Sequence, residues 1–380
     1  MQGRGMLTGG LALALLVGVA AAENSIGTVG GEGGPWRLLV QSTGEPRIAH
    51  LSWPKLVTTT DGTLILAYSA GVGHNQGGSG PAVSVSRDGG RTFSPPRLLC
   101  YFPEDDKRYK DCGNLALGIA GDGAAVLLAM AFSGDKRNTI FGWRSRDDGA
   151  TWDRVDTSRI ADNRTGSVYG HILDVPGEGL VVFGHYRKPG PPSSGIWMST
   201  STDDGRTWGP PRTVTDRRYF EPAVVFCQGR LIGLFRLPGD AERRYDLAVS
   251  DDLGATWEIR PSGIALTEGR PGRQPSPFIM VSPEMPGTLH ALQSIRGPLD
   301  DTGGRIYLWS AELDRLVWRR ERCVIRIPAR EERFADWSYP WMTRLHDGGW
   351  LLAFYAGAKH GGSSIYGLNL VLGSPAQPSE

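Results

Sequence analysis

No run of lysine and arginine stands out in this 380-residue chain, and its formal net charge is only +1. That balance excludes a nucleic-acid binder working through charge. No metal-ligand spacing, glycine-rich phosphate loop or Ser-His-Asp arrangement rises above chance, so neither a metal nor another cofactor is expected, and GEGGPW at residues 31–36 reads as a linker. Beyond the first 22 residues no segment is apolar for long enough to span a membrane. Cysteine is scarce, with four in all. Cys100 and Cys112 are close enough in sequence to pin one loop with a disulfide, worth roughly 3 kcal/mol. Cys227 and Cys323 lie in apolar, strand-like surroundings that suit buried thiols equally well.

Glycine and proline are plentiful, at 53 and 26 residues, and hydrophobic content is 40%. Such a chain builds a large core from short strands and tight turns rather than long helices. At the N-terminus Arg4 precedes LTGGLALALLVGVAAA, and Ala20-Ala21-Ala22 offers a small-x-small cleavage pattern before Glu23. Residues 1–22 are therefore expected to be an export signal, 23–35 a linker, and 36–380 one secreted or periplasmic domain with no stable membrane insertion. Asn163-Arg164-Thr165 fits a glycosylation sequence, which matters only in a eukaryotic secretory pathway.

The pattern Ser-x-Asp-x-Gly-x-Thr-aromatic occurs four times, at Ser86–Phe93, Ser145–Trp152, Ser201–Trp208 and Ser250–Trp257, with a worn fifth copy from Ser310. The starts are 59, 56, 49 and 60 residues apart, a spacing that marks a repeat array. A catalytic site is built once, whereas a structural turn is needed in every repeat. None of the copies has the longer acidic loop of a calcium-binding hand. The boxes are expected to be folding devices, with Asp and Ser bonding the turn backbone and Gly at positive φ.

Between the boxes runs a second repeat of two apolar segments around a turn, six times over, from LVTTTDGTLILAYSA to WMTRLHDGGWLLAFYAG. Most turn on a pair such as Asp61-Gly62 or Gln228-Gly229, the chemistry of tight hairpins. A third and a fourth strand after each hairpin make a four-stranded unit. The sixth unit runs out of chain, and WRLLVQS at Trp36–Ser42 is the natural donor of its missing strand, which would remove an open seam. The expected fold is all-β, a six-bladed β-propeller of antiparallel blades closed by the N-terminal strand, with functional residues on the loops opposite the boxes.

The four boxes resemble the Asp-box, or BNR, repeat of the sialidase superfamily, and the six units resemble its six-bladed propeller. SYPWMTRLHDGG is similar to the segment carrying that family's catalytic tyrosine, which implies that role for Tyr339. EPAVVFCQGRLIGLFR is similar to its Glu-to-Arg hairpin, which implies that Glu221 is the tyrosine's partner base and Arg236 a carboxylate clamp. Two positions depart from the family. Ser52, in SWPKL, stands where the first clamping arginine belongs, and the loop SAGVGHNQGGSGPA has no carboxylate where the family carries its acid/base aspartate. His74 is the one side chain in that loop suited to replace it, imidazole being the group that ordinarily titrates near neutrality. Further candidates for holding substrate are Arg296, Arg273, His171, Arg187 and Lys359, with Arg296 or Arg305 as the third arginine and Arg47 or Lys55 as substitutes for the first.

The resemblance implies a secreted, exo-acting glycoside hydrolase whose substrate is a glycan with an acidic or polar terminal sugar. Two other readings stand beside it: a uronate lyase using a Tyr/His pair, and a glycan-binding propeller without turnover.

Overall fold

The computed structural model describes residues 35–372 apart from Asn75, Lys107 and segments 133–137, 162–165, 187–194, 239–243, 266–272, 297–303, 328–334 and 359–360. The expected export signal, nearly all of the linker, the 163–165 sequence, Arg187 and Lys359 lie outside the described residues.

Among the described residues the regular structure is all β, apart from one 3-10 turn at Pro46–Ile48. After β1 (Arg37–Val40), the strands follow in antiparallel runs. The first run is β2 (His50–Thr58), β3 (Leu64–Gly71), β4 (Ser79–Ser86) and β5 (Arg97–Leu98). The second is β6 (Asp111–Ile119), β7 (Ala125–Phe132), β8 (Asn138–Ser145) and β9 (Asp153–Val155). The third is β10 (Ser167–Val175), β11 (Gly179–His185), β12 (Ile196–Ser201) and β13 (Arg212–Thr215). Next come β14 (Phe220–Cys227), β15 (Arg230–Arg236), β16 (Arg244–Ser250) and β17 (Glu258–Ala265), then β18 (Phe278–Ser282), β19 (Met285–Ile295), β20 (Gly304–Glu312) and β21 (Arg319–Ile327). The last run is β22 (Asp336–Arg344), β23 (Trp350–Gly357) and β24 (Ser363–Leu370). Strand β1 pairs with β24, Arg37 opposite Gly367, in the position that the sequence order anticipates.

The sheets are larger in two places than separate units would be. Parallel pairs join β6 to β10 at Gly170↔Ala116 and β2 to β24 at His50↔Ser363, so four runs fuse into two eight-stranded sheets. The first strands β2, β6, β10, β14, β18 and β22 contact one another in that order, and β22 also contacts β2. Packed on both faces, strands near this centre are buried along nearly their whole length, β3 and β23 throughout.

The boxes have the expected build. In each, the Ser hydroxyl bonds the Asp carboxylate and accepts from the Gly N–H, while the Thr N–H and hydroxyl donate to the Asp. These bonds, from the Thr256 side chain, its backbone and Ser250, hold the exposed Asp252 carboxyl down at about 2. The box Gly and the residue before it both take positive φ, as at Asp204 (56°) and Gly205 (80°). Arginines from the preceding run bond the backbones of the second and third boxes, Arg97 to Gly149 O at 2.9 Å and Arg144 to Asp204 O at 2.9 Å, so these two boxes also fasten neighbouring runs. Arg37 on β1 does the same to Gly90 of the first box at 2.8 Å.

The Cys100–Cys112 disulfide expected from sequence is not formed. All four cysteines are free thiols. Cys112 is fully buried on the inner strand β6, with its Sγ 3.6 Å from Gly113 O, whereas Cys100 follows the outer strand β5. Among the described residues no helix is long and apolar enough to cross a membrane.

Candidate active site

The inner strands are bent by bulges that lie between Ser52 and Lys55, Cys112 and Leu115, Tyr169 and Leu173, Phe220 and Ala223, and Ser338 and Trp341. In three of them a bulky residue before proline sits at positive φ: Trp53 (55°), Glu221 (47°) and Tyr339 (55°). For such residues this conformation is a costly outlier, of the kind that folds keep where a side chain must be aimed. All three line one cavity of about 240 Å³, together with His74, Asn114, Arg236, Arg273 and Arg296.

The Tyr339 hydroxyl donates to Glu221 Oε1 at 2.6 Å. Arg236 Nη1 and the Ser276 hydroxyl donate to the other oxygen, Oε2, at 2.5 and 2.9 Å. Burial pushes the Glu221 carboxyl up, but the Arg236 charge and the bonds from Tyr339 and Arg236 outweigh it and hold it at about 2. Burial and the Glu221 charge push the Tyr339 phenol well above its ordinary range. The pair is thus a neutral phenol bonded to an ionised carboxylate, the arrangement of a nucleophile and its base.

His74 also lies beside Trp53. The Trp53 ring centroid is 5.4 Å from that of His74 and 6.3 Å from that of Tyr339. His74 Nδ1 is 2.7 Å from Asp336 Oδ2, His50 Nε2 approaches the same oxygen at 3.3 Å, and Arg296 bonds Oδ1. Although burial opposes it, bonds from both histidines and the Arg296 charge keep the Asp336 carboxyl far below its ordinary range. A carboxylate on Nδ1 fixes the imidazole tautomer and leaves Nε2 for proton transfer. His50, His74 and Asp336 also bring three ligand atoms within 4.8 Å, the one such group among the described residues. Arg296 on the same carboxylate and two further guanidiniums in the cavity oppose a dication there.

The structure brings Tyr339, Glu221, His74, Arg236, Arg296 and Arg273 together around the cavity, and does not bring His171. The His171 ring packs 4.5 Å from Trp341, its Nε2 lies 3.2 Å from Ile279 O, and burial lowers its pKa to about 4. The expectation for His171 is corrected: it is a packed core histidine. Arg305 lies on β20 opposite Arg326, away from the cavity, so Arg296 is the arginine at the site. Arg296 is anchored by Trp337 O at 2.5 Å and Tyr355 at 2.8 Å, and its backbone pairs with Arg273 at 2.6 and 2.9 Å. Arg47 pairs with Glu45 at the surface. Ser52 is buried, and β2 offers Trp53 to the cavity in its place. Sequence reasoning missed Trp53, Asn114, Ser276 and Asp336. The recurring X-Pro pairs Trp53-Pro54, Glu221-Pro222 and Tyr339-Pro340 were the available signal for Trp53.

A family model described as a BNR repeat-like domain matches residues 35–352. The chain belongs to that family. No curated protein matches it by sequence. Among solved structures, this BNR repeat-like chain is similar to a Dyadobacter fermentans protein of unknown function, 17% identical with TM-score 0.65 over 88% of this chain and 98% of that one. It is similar to the NanB sialidase of Streptococcus pneumoniae, 14% identical, TM-score 0.65, over 88% and 70% of the two chains. The leech intramolecular trans-sialidase, complexed with 2,7-anhydro-Neu5Ac, is 14% identical, TM-score 0.64, over 88% and 70%. The all-β fold is therefore of the sialidase-propeller type.

Proposed function

We propose that this protein is an exported, exo-acting glycoside hydrolase of the sialidase type, which removes a terminal sugar bearing a carboxylate. The observation that carries the reading is the 2.6 Å bond from Tyr339 to Glu221 inside a cavity lined by three guanidiniums. The Tyr339 oxygen attacks the anomeric carbon as Glu221 Oε1 takes its proton, and the glycosidic C–O bond breaks with His74 protonating the departing oxygen. Water then attacks the tyrosyl–sugar bond, His74 removes a proton from that water, and Glu221 returns one to the phenol. Arg236, Arg296 and Arg273 hold the carboxylate by charge-assisted bonds, with Arg273 supplying the cation that β2 lacks. The cavity falls below the roughly 300–1,000 Å³ of drug-sized sites, which suits one sugar residue rather than an internal stretch of chain.

For the scaffold, we infer six four-stranded blades in a closed ring, supported by the cyclic contacts of the inner strands and by β1 on β24. A Tyr/His lyase would have Tyr339 exchange its proton with a histidine, whereas the hydrogen-bond partner of Tyr339 is the Glu221 carboxylate. The test is a screen of fluorogenic sialosides and hexuronides with the protein and its Tyr339→Phe variant. Release of fluorophore that the variant abolishes is expected. An unsaturated product absorbing in the near ultraviolet would instead establish the lyase, and glycan binding without turnover would establish a binding propeller.

A further inference from the structure

Lys55 is one of only six lysines in the chain, against 35 arginines, and it is fully buried. Its Nζ lies 4.4 Å from the Tyr169 ring centroid and 4.5 Å from that of Trp341, and it donates to Pro54 O at 3.3 Å. No carboxylate among the described residues lies within ion-pair reach of it. The Tyr169 ring is in turn 6.5 Å from that of Tyr339, so the ammonium sits one aromatic ring behind the catalytic pair. Cation–π contacts soften the burial of a charge but do not neutralise it. A fold that uses arginine nearly everywhere else has here the cation that can give up its proton, which arginine does not do.

Resting on the hydrolase reading above, we propose that Lys55 is a positioning residue that lends the cavity a switchable positive charge, drawing the carboxylate of an acidic sugar into the arginine clamp when protonated and weakening that hold when neutral. Burial lowers its pKa to about 7, against the opposing pull of Glu221 on β14. Of the other charged groups nearby, His171 on β10 is coupled to it, whereas Asp111 of β6 is bonded to Ser79, Asp336 of β22 to His74 and Arg296, and Arg344 of β22 to Glu284. The only titratable side chains on β3, β23 and β24 are the tyrosines Tyr68, Tyr355 and Tyr366. Lys55 is thus charged below about pH 7 and loses its charge as pH rises through it. A lysine buried without a counter-ion costs stability, the mark of a group kept for work other than folding.

The test is calorimetric binding of free glucuronic acid and N-acetylneuraminic acid, and of their neutral amides, to the full chain and to Lys55→Met from pH 6 to 8, beside a ¹⁵N titration of the lysine Nζ signals. The protein should bind the better acid at least threefold more tightly at pH 6 than at pH 8, the variant should bind it weakly with that step lost, and the amides should not distinguish the two proteins. Lys55→Met should melt no lower than the parent, because it removes an unpaired buried charge. An Nζ that stays charged beyond pH 9, or acid binding that Lys55→Met leaves unchanged, overturns the proposal alone. Failure of both acids to bind overturns the acidic-sugar reading and this proposal with it.

Discussion

Tyr339 and Glu221 are 118 residues apart in sequence and 2.6 Å apart in space, each at positive φ before a proline on an inner strand. Since the phenol needs the carboxylate to take its proton, the two are expected to act as one unit. Tyr339→Phe and Glu221→Gln should each lower kcat by about 10²-fold or more, and the double variant should be little worse than the poorer single one. Losses that multiply in steady-state kinetics would separate their roles.

The bond between His74 and Asp336 predicts a second non-additive pair. Asp336→Asn replaces the charged acceptor that orients the imidazole with a neutral amide that can also present a donor and favour the other tautomer, so turnover should fall by about 10²-fold or more with KM little changed. His74→Ala should fall at least as far, and adding Asp336→Asn to it should cost little more. The measurement is a pH–rate profile of each variant, and an Asp336→Asn profile superimposable on the parent's would remove Asp336 from the mechanism.

Trp53 lines the cavity beside both pairs. Trp53→Ala should raise KM by about tenfold or more, since a buried aromatic face carries much of the contact in sugar-sized sites. A change confined to kcat would point instead to a role in holding Tyr339.

The boxes lie away from the cavity. Asp203→Ala deletes the acceptor of the Ser201, Thr207 N–H and Thr207 hydroxyl bonds, and should lower Tm by roughly 2–6 °C while folded protein keeps its specific activity. A stable variant without activity would contradict a purely structural box.

His290 predicts a pH effect on stability. It is buried with neither ring nitrogen partnered, and burial lowers its pKa to about 4 from 6.5. The unfolded chain therefore binds a proton at higher pH than the native one. The neutral ring is no burden above about pH 6.5, and stability is lost as pH falls from there towards 4. His290→Leu should flatten the fall in Tm between pH 7 and 5, and an unchanged slope would exclude this histidine as its source.

The repeats were legible because they are local: the boxes, the hairpin turns and the displaced strand at Trp36 can each be read within a short stretch. Tyr339, Glu221 and Arg236 were legible through resemblance to a family. Asp336 was not, since its partners His50 and His74 come from the first strand run and Arg296 from the fifth, all far from it in sequence. His171 was misplaced because it falls within the bulge of β10 between Tyr169 and Leu173, where its ring packs against Trp341. The cysteine pairing was not decided by spacing, since thiols close in sequence and within electrostatic reach of one another need not be bonded.

The pairing of Arg37 with Gly367 means that β1 has no partner until β24 has been made. During synthesis β1 must wait through the whole intervening chain, and the first box waits with it for the Arg37 guanidinium. Contacts of such length slow folding, so the sheet that β1 and β24 share should be completed late. Removing Trp36–Ser42 should leave a bare sheet edge and a species that associates with its own kind.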